Sequence, residues 1–158
     1  MNPSHKQRWI AWLPTILWAG FIFLMSTSEF SSARTLNFIY PVLFWLLPFS
    51  SHGTLMLLHE LIRKSAHVTE YFVFSLLLLH GIRAGRKEWR LRWALIALGI
   101  AALYASSDEF HQLFVPGRHG SLWDVMIDVT GASLAQVAFY LFARWRDPQA
   151  IETERPSR

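Results

Sequence analysis

Long apolar stretches, separated by short polar segments, dominate the pattern of this chain. A helix that crosses a membrane needs roughly 17 to 25 mainly apolar residues, because each helical residue advances about 1.5 Å. Four stretches fit this length, and the third and fourth carry acids toward one end. They predict transmembrane helices at about residues 9–26, 64–83, 91–112 and 123–145.

The segment between the first and second spans is also apolar, but it is short. Residues 36–49 (LNFIYPVLFWLLPF) contain Pro41 and Pro48, and proline interrupts helices. This pattern favours an interfacial or re-entrant position over a full crossing. The helix of the second span is predicted to begin early, at Thr54. The predicted fold is therefore all-α: a polytopic membrane bundle of four transmembrane helices with a short interfacial or re-entrant segment in the first outer loop.

The composition fits a membrane protein. The chain is 53% hydrophobic, with 8 Trp and 12 Phe, and its mean hydropathy is +0.25. It has no cysteine, which excludes disulfides and thiolate metal sites. Residues 1–146 are predicted to form one four-helix domain, and the polar, proline-containing residues 147–158 a disordered cytoplasmic tail.

The chain is basic, with a formal net charge of +4, but its charges are unevenly placed. If the N-terminus is cytoplasmic, the basic loop at residues 83–92 and the basic C-terminus are cytoplasmic as well. The Lys and Arg residues left outside are Arg34, Arg63, Lys64 and Arg118. This distribution follows the positive-inside rule. The distribution of basic residues is therefore interpreted as a consequence of membrane topology. It predicts that both termini are cytoplasmic and that the chain has no nucleic-acid partner.

Polar residues recur at one end of the second, third and fourth predicted spans. In that topology this end lies at the outer leaflet, where Pro116-Gly117 predicts a type II turn that directs Arg118 back over the bundle. Ionisable residues within a membrane are costly and normally face the interior of a bundle, so such a group indicates a functional site. Its members are Lys64, His67, Glu70, Tyr71, Asp108, Glu109, Gln112, Arg118, Asp124 and Asp128.

Several of these residues also have purely structural interpretations. Ser121 to Asp124 has the form of a capping box, in which Asp124 would only cap its helix. Lys64 could form a surface pair with Glu60. Tyr71 could be an anchor at the membrane interface. Asp128 is harder to explain structurally, because it lies a full turn inside its helix with no basic residue within four positions.

Three motifs in this order resemble the VanZ-like family of integral membrane proteins. They are KSAHVTEY at residues 64–71, DEFHQLFVPGR at 108–118 and SLWDVMIDVTG at 121–131, within a resemblance that covers about residues 63–134. The family is named for a protein associated with reduced sensitivity to the glycopeptide teicoplanin. The resemblance implies the cell envelope, a bacterial cytoplasmic (inner) membrane and an outer-leaflet pocket similar to those of lipid-headgroup enzymes. Many relatives have Asn where this chain has Asp128.

The predicted pocket holds five acids against two cations when its histidines are neutral. Five adjacent acids cannot all stay ionised without compensation, so either some are protonated or a divalent cation joins them. Carboxylates suit Mg²⁺, Ca²⁺ or Mn²⁺ better than Zn²⁺. Since the chain has no compact metal motif, the sequence requires no cofactor and leaves a divalent cation as an alternative.

The leading hypothesis is an enzyme that acts on the phosphate-bearing headgroup of an outer-leaflet lipid or lipid-linked cell-wall precursor, with an effect on glycopeptide sensitivity. Lys64 and Arg118 would hold phosphate oxygens, and His67 would act as base or nucleophile. Asp108 or Glu109 would orient His67 or handle the proton. The predicted catalytic residues are His67, Asp108, Glu109 and Asp128, and the predicted substrate-binding residues are Lys64, Glu70, Tyr71, Gln112, Arg118 and Asp124.

Two other functions are left open by the sequence. A non-catalytic protein that binds the lipid or precursor would need the cations and the pocket shape but no proton-transfer pair. A small proton-coupled transporter would use His67 and Asp128 as a relay, although the polar residues cluster at one side of the membrane and do not cross it. The oligomeric state cannot be deduced from these patterns.

Overall fold

The computed structural model describes residues 5–86 and 88–146. These residues form five α-helices and a single 3₁₀ turn at Ser28–Phe30. The helices are α1 (His5–Met25), α2 (Ser32–Leu46), α3 (His52–Arg83), α4 (Leu91–Gln112) and α5 (Leu122–Arg146). The all-α prediction is confirmed. The predicted tail at residues 147–158 lies outside the described residues.

The helices differ in how well they suit a membrane crossing. Among the described residues, α3 and α5 are long and apolar enough to cross, and α1 with α2 gives a third candidate if this pair, bent by 67°, is one broken span. Helix α4 falls short, because Arg92 near its start and the acids near its end lower its mean hydropathy. The four-span topology therefore stays a prediction.

The segment predicted to be interfacial or re-entrant forms most of α2. Pro41 lies inside this helix and does not end it. The helix ends at Leu46 because Pro48 disfavours helical geometry at the preceding residue, and Leu47 has left the helical region with φ −131° and ψ 61°. Helix α2 packs against the first part of α3.

Helix α3 begins at His52, two residues before the predicted start. The Ser51 hydroxyl accepts a hydrogen bond from the Thr54 N–H at 3.1 Å, which caps the first turn. The helix ends at Arg83, where Ala84 and Gly85 adopt positive φ. At 32 residues it is longer than a crossing requires, as the sequence indicated.

Helix α3 is central, since it contacts α1, α2, α4 and α5. Its most extensive contact is with α5, where Gly131 permits a close backbone approach: a Cβ at this position would lie 2.4 Å from the Val68 carbonyl oxygen. Helix α4 packs through a stripe of buried alanines, Ala97, Ala101 and Ala105. Small residues allow helices to approach closely in a membrane protein.

Helix α1 is fastened to the bundle by side-chain hydrogen bonds to backbone carbonyls. The Thr15 hydroxyl donates to Leu77 O and the Trp18 indole N–H donates to Glu70 O, both at 2.9 Å. In the opposite direction, the Tyr104 hydroxyl of α4 donates to Ala19 O at 2.7 Å. Tyr104 is thus a link between helices in this structure. These bonds fix the end of α1 beside the polar ends of α3 and α4.

Candidate functional site

The polar ends of the helices meet at one end of the bundle. The buried alanine stripe of α4 continues there into three buried polar residues, Asp108, Glu109 and Gln112. The last turn of α1, the first half of α3 and the first turns of α5 surround them. Residues that are far apart in sequence are thereby brought together in one polar cluster.

His67 of α3 and Asp128 of α5 form the innermost pair of this cluster. His67 Nδ1 lies 3.1 Å from Asp128 Oδ1. The Asp128 side chain is fully buried, and its Oδ2 has no hydrogen-bond partner among the described residues. The close approach at Gly131, one helical turn after Asp128, holds the two helices near enough for the pair to form. An aspartate in this position can orient the imidazole ring and stabilise its protonated form.

A second group of hydrogen bonds joins α1 to the end of α4. The Ser26 hydroxyl donates to Asp108 Oδ2 at 2.6 Å. The Gln112 amide donates to Asp108 Oδ2 and to Glu109 Oε1, each at 3.1 Å. Ser26 was not among the predicted site residues, because a single serine after an apolar run gives no distinctive signal. Asp108 Oδ1 is buried without a hydrogen-bond partner in the described part of the chain.

Glu109 also holds the start of α5. The Ser121 N–H donates to Glu109 Oε2 at 2.8 Å, and the Ser121 hydroxyl accepts from the Trp123 N–H at 3.2 Å. The capping box suggested by the sequence would have used Asp124 for the Ser121 N–H, but Glu109 of another helix takes that place. Gly120 is required here, because a Cβ would lie 2.3 Å from the Glu109 carbonyl oxygen. Asp124 lies half-buried in the first turn of α5.

Arg118 follows the predicted type II turn, which the structure confirms. Gly117 has φ +77°, and the Arg118 N–H donates to Val115 O at 3.1 Å. The guanidinium reaches back to the end of α1, where Nε donates to Thr27 O at 3.2 Å and a terminal nitrogen donates to Met25 O. It therefore binds one carbonyl group at the end of α1 and one just beyond it, where Thr27 O also accepts a hydrogen bond from the Phe30 N–H at 3.3 Å.

Burial lowers the pKa of Arg118 from its ordinary value, and the nearby positive charge of Arg63 lowers it further. Arginine is ordinarily protonated far above neutral pH, so Arg118 is treated as a cation here. The end of the bundle that holds the buried acids therefore also holds a fixed positive charge.

A cavity of about 120 Å³ opens beside this cluster. His67, Glu70 and Arg118 line it, as does Arg63, which the sequence interpretation had left out of the site. Lys64 is exposed and does not line the cavity. Successive helical residues are rotated by about 100°, so the packing of α3 turns Arg63 toward the cavity and Lys64 away from it. The remaining lining residues are Met25, Ser26, Phe30, Thr35 and Ala66.

Tyr71, predicted to bind substrate, lies in the core. Its side chain is fully buried and packs edge-on against Phe74, with ring centroids 6.1 Å apart. Its hydroxyl has no hydrogen-bond partner among the described residues. Tyr71 therefore does not line the cavity, although it lies one helical turn after His67.

Three residues of the cluster can supply metal ligands. One ligand atom each from His67, Glu109 and Asp128 lies within 4.8 Å of the other two. Glu109 and Asp128 are buried, whereas His67 is partly exposed to the cavity. One nitrogen and two carboxylate oxygens form a donor set that divalent cations accept.

Comparison with known proteins identifies the family. No curated protein and no solved structure matches this chain. The family model described as VanZ/LLP1 matches residues 11–143, from the first turns of α1 to the last turn of α5. This range includes the three sequence motifs and every helix that contributes to the cavity. The chain is a VanZ-like membrane protein and belongs to the VanZ/LLP1 family.

Proposed function

We propose that this protein binds the phosphate-bearing headgroup of a lipid or lipid-linked cell-wall precursor in the cavity, and that it modifies this headgroup through His67. One observation carries the proposal: the same cavity is lined by two guanidinium groups and by a histidine that is paired with a buried aspartate. Guanidinium groups match phosphate oxygens in charge and geometry. The histidine–aspartate pair is suited to proton transfer.

The two arginines have distinct parts in this proposal. Arg118 is held by the carbonyl groups at the end of α1, so its charge is fixed in position beside the cavity. Arg63 lies one residue before Lys64, and among the described residues its hydrogen bonds are to Glu60, with N–O distances of 3.4 Å. Arg63 is therefore free to turn toward an entering phosphate. A fixed cation and a mobile one together favour a ligand with two or more anionic oxygens.

His67 is the group through which the headgroup would react. Asp128 fixes one side of its ring, and the side chain is partly exposed to the cavity. A histidine in this position can accept a proton from a hydroxyl or water, or donate one to a leaving group. Glu70 lines the same cavity one turn further along α3 and provides a second ionisable group.

The membrane setting completes the proposal. With both termini in the cytoplasm, the cavity lies at the outer leaflet of a bacterial inner membrane, where lipid-linked wall precursors are exposed. Large hydrophobic side chains such as Leu103 and Trp123 are exposed on the outside of the bundle, as expected for a surface that contacts acyl chains. A change in the precursor pool is the route by which glycopeptide sensitivity would be affected.

The experiment that tests the proposal is mass spectrometry of membrane lipids and lipid-linked precursors in cells that express wild type or variants at matched membrane levels. Arg63→Ala is compared with Lys64→Ala, and His67→Ala with His80→Ala. Each control removes the same type of side chain or charge from the same helix at an exposed position. We expect a lipid species to change with wild type and both controls, and to remain unchanged with Arg63→Ala and His67→Ala.

Other outcomes would assign other functions. A lipid that copurifies with wild type and His67→Ala but not with Arg63→Ala, without any change in the lipid profile, indicates a non-catalytic binder. If neither the profile nor the copurifying lipids differ between Arg63→Ala and Lys64→Ala, headgroup binding is wrong. A proton-coupled transporter has less support, because the buried ionisable residues of α4 and α5 in the described chain lie at one end of the bundle.

A further inference from the structure

Asp128 is the least compensated of the buried acids in the described residues. Asp108 receives two hydrogen bonds on Oδ2, from the Ser26 hydroxyl and the Gln112 amide, although its Oδ1 also has no partner there. Glu109 has a donor for each of its oxygens. Asp128 is fully buried, has only His67 beside one oxygen, and leaves Oδ2 without a partner. Because buried carboxylates are normally hydrogen-bonded, paired or bound to a metal, the free oxygen needs an explanation.

The surroundings of this oxygen supply further ligands. Glu109 approaches from α4 and His67 from α3, and one ligand atom from each lies within 4.8 Å of an Asp128 oxygen and of the other. Two atoms bound about 2.1 Å from one ion, at a right angle, are about 3.0 Å apart. The distance of 3.1 Å between His67 Nδ1 and Asp128 Oδ1 fits such a pair. The other separations are within 4.8 Å, so a bound ion would draw the Glu109 oxygen toward the other two ligand atoms.

We propose that His67, Glu109 and Asp128 bind a divalent cation, Mn²⁺ or Zn²⁺, at the inner wall of the cavity. An imidazole nitrogen with two carboxylate oxygens suits these ions, whereas Mg²⁺ and Ca²⁺ prefer oxygen ligands alone. The Ser121 N–H and the Gln112 amide donate hydrogen bonds to the Glu109 carboxylate and so restrict its orientation. Supporting hydrogen bonds of this kind orient metal ligands.

The ion would also balance charge at the site. Three buried acids face one histidine and the guanidinium of Arg118, which is already engaged by carbonyl groups. Because His67 lines the cavity, the ion would be reached from it, with coordination positions left for water or for a ligand oxygen. With the ion bound, His67 would help to hold it, and the ion would supply positive charge for a phosphate oxygen in the cavity. The site stands on its own geometry and does not depend on the proposed function.

The test is a titration of the purified full chain in detergent. After treatment with EDTA and removal of the chelator, Mn²⁺ is added and the free ion is followed by its electron paramagnetic resonance signal. We expect one Mn²⁺ per chain, displaced by Zn²⁺ and not by an equal concentration of Mg²⁺. Glu109→Gln and His67→Gln are expected to weaken binding at least about tenfold. The control Glu60→Gln, an acid of α3 outside the cluster, is expected to bind like wild type.

A second measurement covers variants that fold poorly. Mn²⁺ is expected to raise the thermal unfolding midpoint of wild type and Glu60→Gln but not of Glu109→Gln, with helical content checked by circular dichroism. Wild type that binds no Mn²⁺ or Zn²⁺, or Glu109→Gln that binds as tightly as wild type, would overturn the inference. Since the readout is Mn²⁺ and no lipid is added, either result leaves headgroup binding to its own test. Mn²⁺ binding by wild type without any change in the lipid profile would support the cation site and contradict headgroup modification.

Discussion

Two groups of polar side chains lie in the interface between α3 and α5, and they differ in charge and in their position relative to the cavity. In the middle of the interface, the Gln136 amide donates to the Ser75 hydroxyl at 2.8 Å and to Ser75 O at 3.1 Å. The Ser75 hydroxyl in turn donates to Ala132 O at 3.0 Å. At the cavity end, His67 and Asp128 form a single contact, and one carboxylate oxygen has no hydrogen-bond partner in the part of the chain that the structure describes.

This difference indicates that the Ser75–Gln136 group holds the helices together, whereas the His67–Asp128 group is a candidate site. The Ser75–Gln136 group is neutral and is buried beside small residues such as Ala132 and Ala135. Its hydrogen-bond donors bind acceptors on the neighbouring helix. Such hydrogen bonds join helices in a membrane protein, with average contributions of about 0.6 kcal/mol. The His67–Asp128 group is ionisable, borders a cavity and leaves one oxygen available to a ligand. An unpaired buried oxygen alone does not indicate function here, because Gln136 Oε1 also has no partner among the described residues. The ionisable side chains and the adjoining cavity distinguish the His67–Asp128 group.

The largest predicted effect comes from a substitution that disrupts both groups. Gly131→Val places a side chain against the Val68 carbonyl, which a Cβ would approach to 2.4 Å. We expect the helices to be forced apart, with a loss of about 3 kcal/mol in unfolding free energy, because overpacked interfaces cannot relax without backbone movement. Thermal unfolding in detergent measures the loss, and the lipid profile should revert to that of cells without the protein.

The control is the same substitution at Gly99 of α4, where a Cβ meets nothing within 4 Å. Gly99→Val should change the unfolding free energy by less than about 1 kcal/mol. Equal losses for the two variants would show that the close approach of α3 and α5 does not hold the bundle together.

The second prediction concerns the contribution of Arg118, at the cavity end of the bundle, to the stability of the fold. Arg118→Ala removes the donors that bind Thr27 O and Met25 O. We expect a loss of about 2 kcal/mol in unfolding free energy, since hydrogen bonds from a charged donor to these partly buried carbonyls are stronger than neutral ones. Chemical denaturation in detergent measures it. Arg34→Ala, which breaks an exposed pair with Glu29, should cost well under about 1 kcal/mol. Equal stability of the two variants would mean that Arg118 does not brace α1.

The sequence predicted the general architecture better than the details of the site. Apolar length and periodicity gave the all-α class and the approximate helix bounds, because these depend on local properties of the chain. The turn before Arg118 was also predictable, since Pro116-Gly117 specifies its own geometry. The role of Arg118 as a brace for α1 was not, because it depends on where a distant helix ends.

The sequence interpretation and the structure place different cations beside the cavity. Lys64 belongs to the motif that resembles the family, but Arg63 lines the cavity. The rotation of α3 about its axis is set by its contacts with four other helices, above all at Gly131, and one residue of sequence corresponds to about 100° of rotation. Ser26 and Gln136 were missed for a related reason. A lone polar residue in an apolar stretch shows its partner only when the helices are packed.

The third prediction is that substitutions in the two polar groups change the unfolding free energy in opposite directions. In EDTA, Asp128→Asn should be as stable as wild type or up to about 1 kcal/mol more stable, because it removes a buried charge while keeping an acceptor near His67. Its effect on the lipid profile should be lost. Gln136→Leu should be about 1 kcal/mol less stable, because it removes two interhelical hydrogen bonds, and should keep the wild-type profile.

These two variants are compared by thermal unfolding and lipid mass spectrometry on the same preparations. An Asp128→Asn variant with the wild-type profile would remove Asp128 from the proposed chemistry. A Gln136→Leu variant without that profile would place the middle of the interface within the functional unit, and the distinction between the two groups would fail.

The smallest predicted effect concerns Ser75 alone. Ser75→Ala removes the hydroxyl bond to Ala132 O, but Gln136 still has the Ser75 carbonyl as an acceptor at 3.1 Å. We therefore expect a loss of only about 0.6 kcal/mol and an unchanged lipid profile. The control is Ser133→Ala on α5, whose hydroxyl binds Val129 O within its own helix and so should leave helix association unaffected. Combined with Gln136→Leu, Ser75→Ala should add less than its separate effect, because both changes remove the same contact. Full additivity in thermal unfolding would show that Ser75 and Gln136 act independently and that the middle of the interface is not one hydrogen-bonded unit.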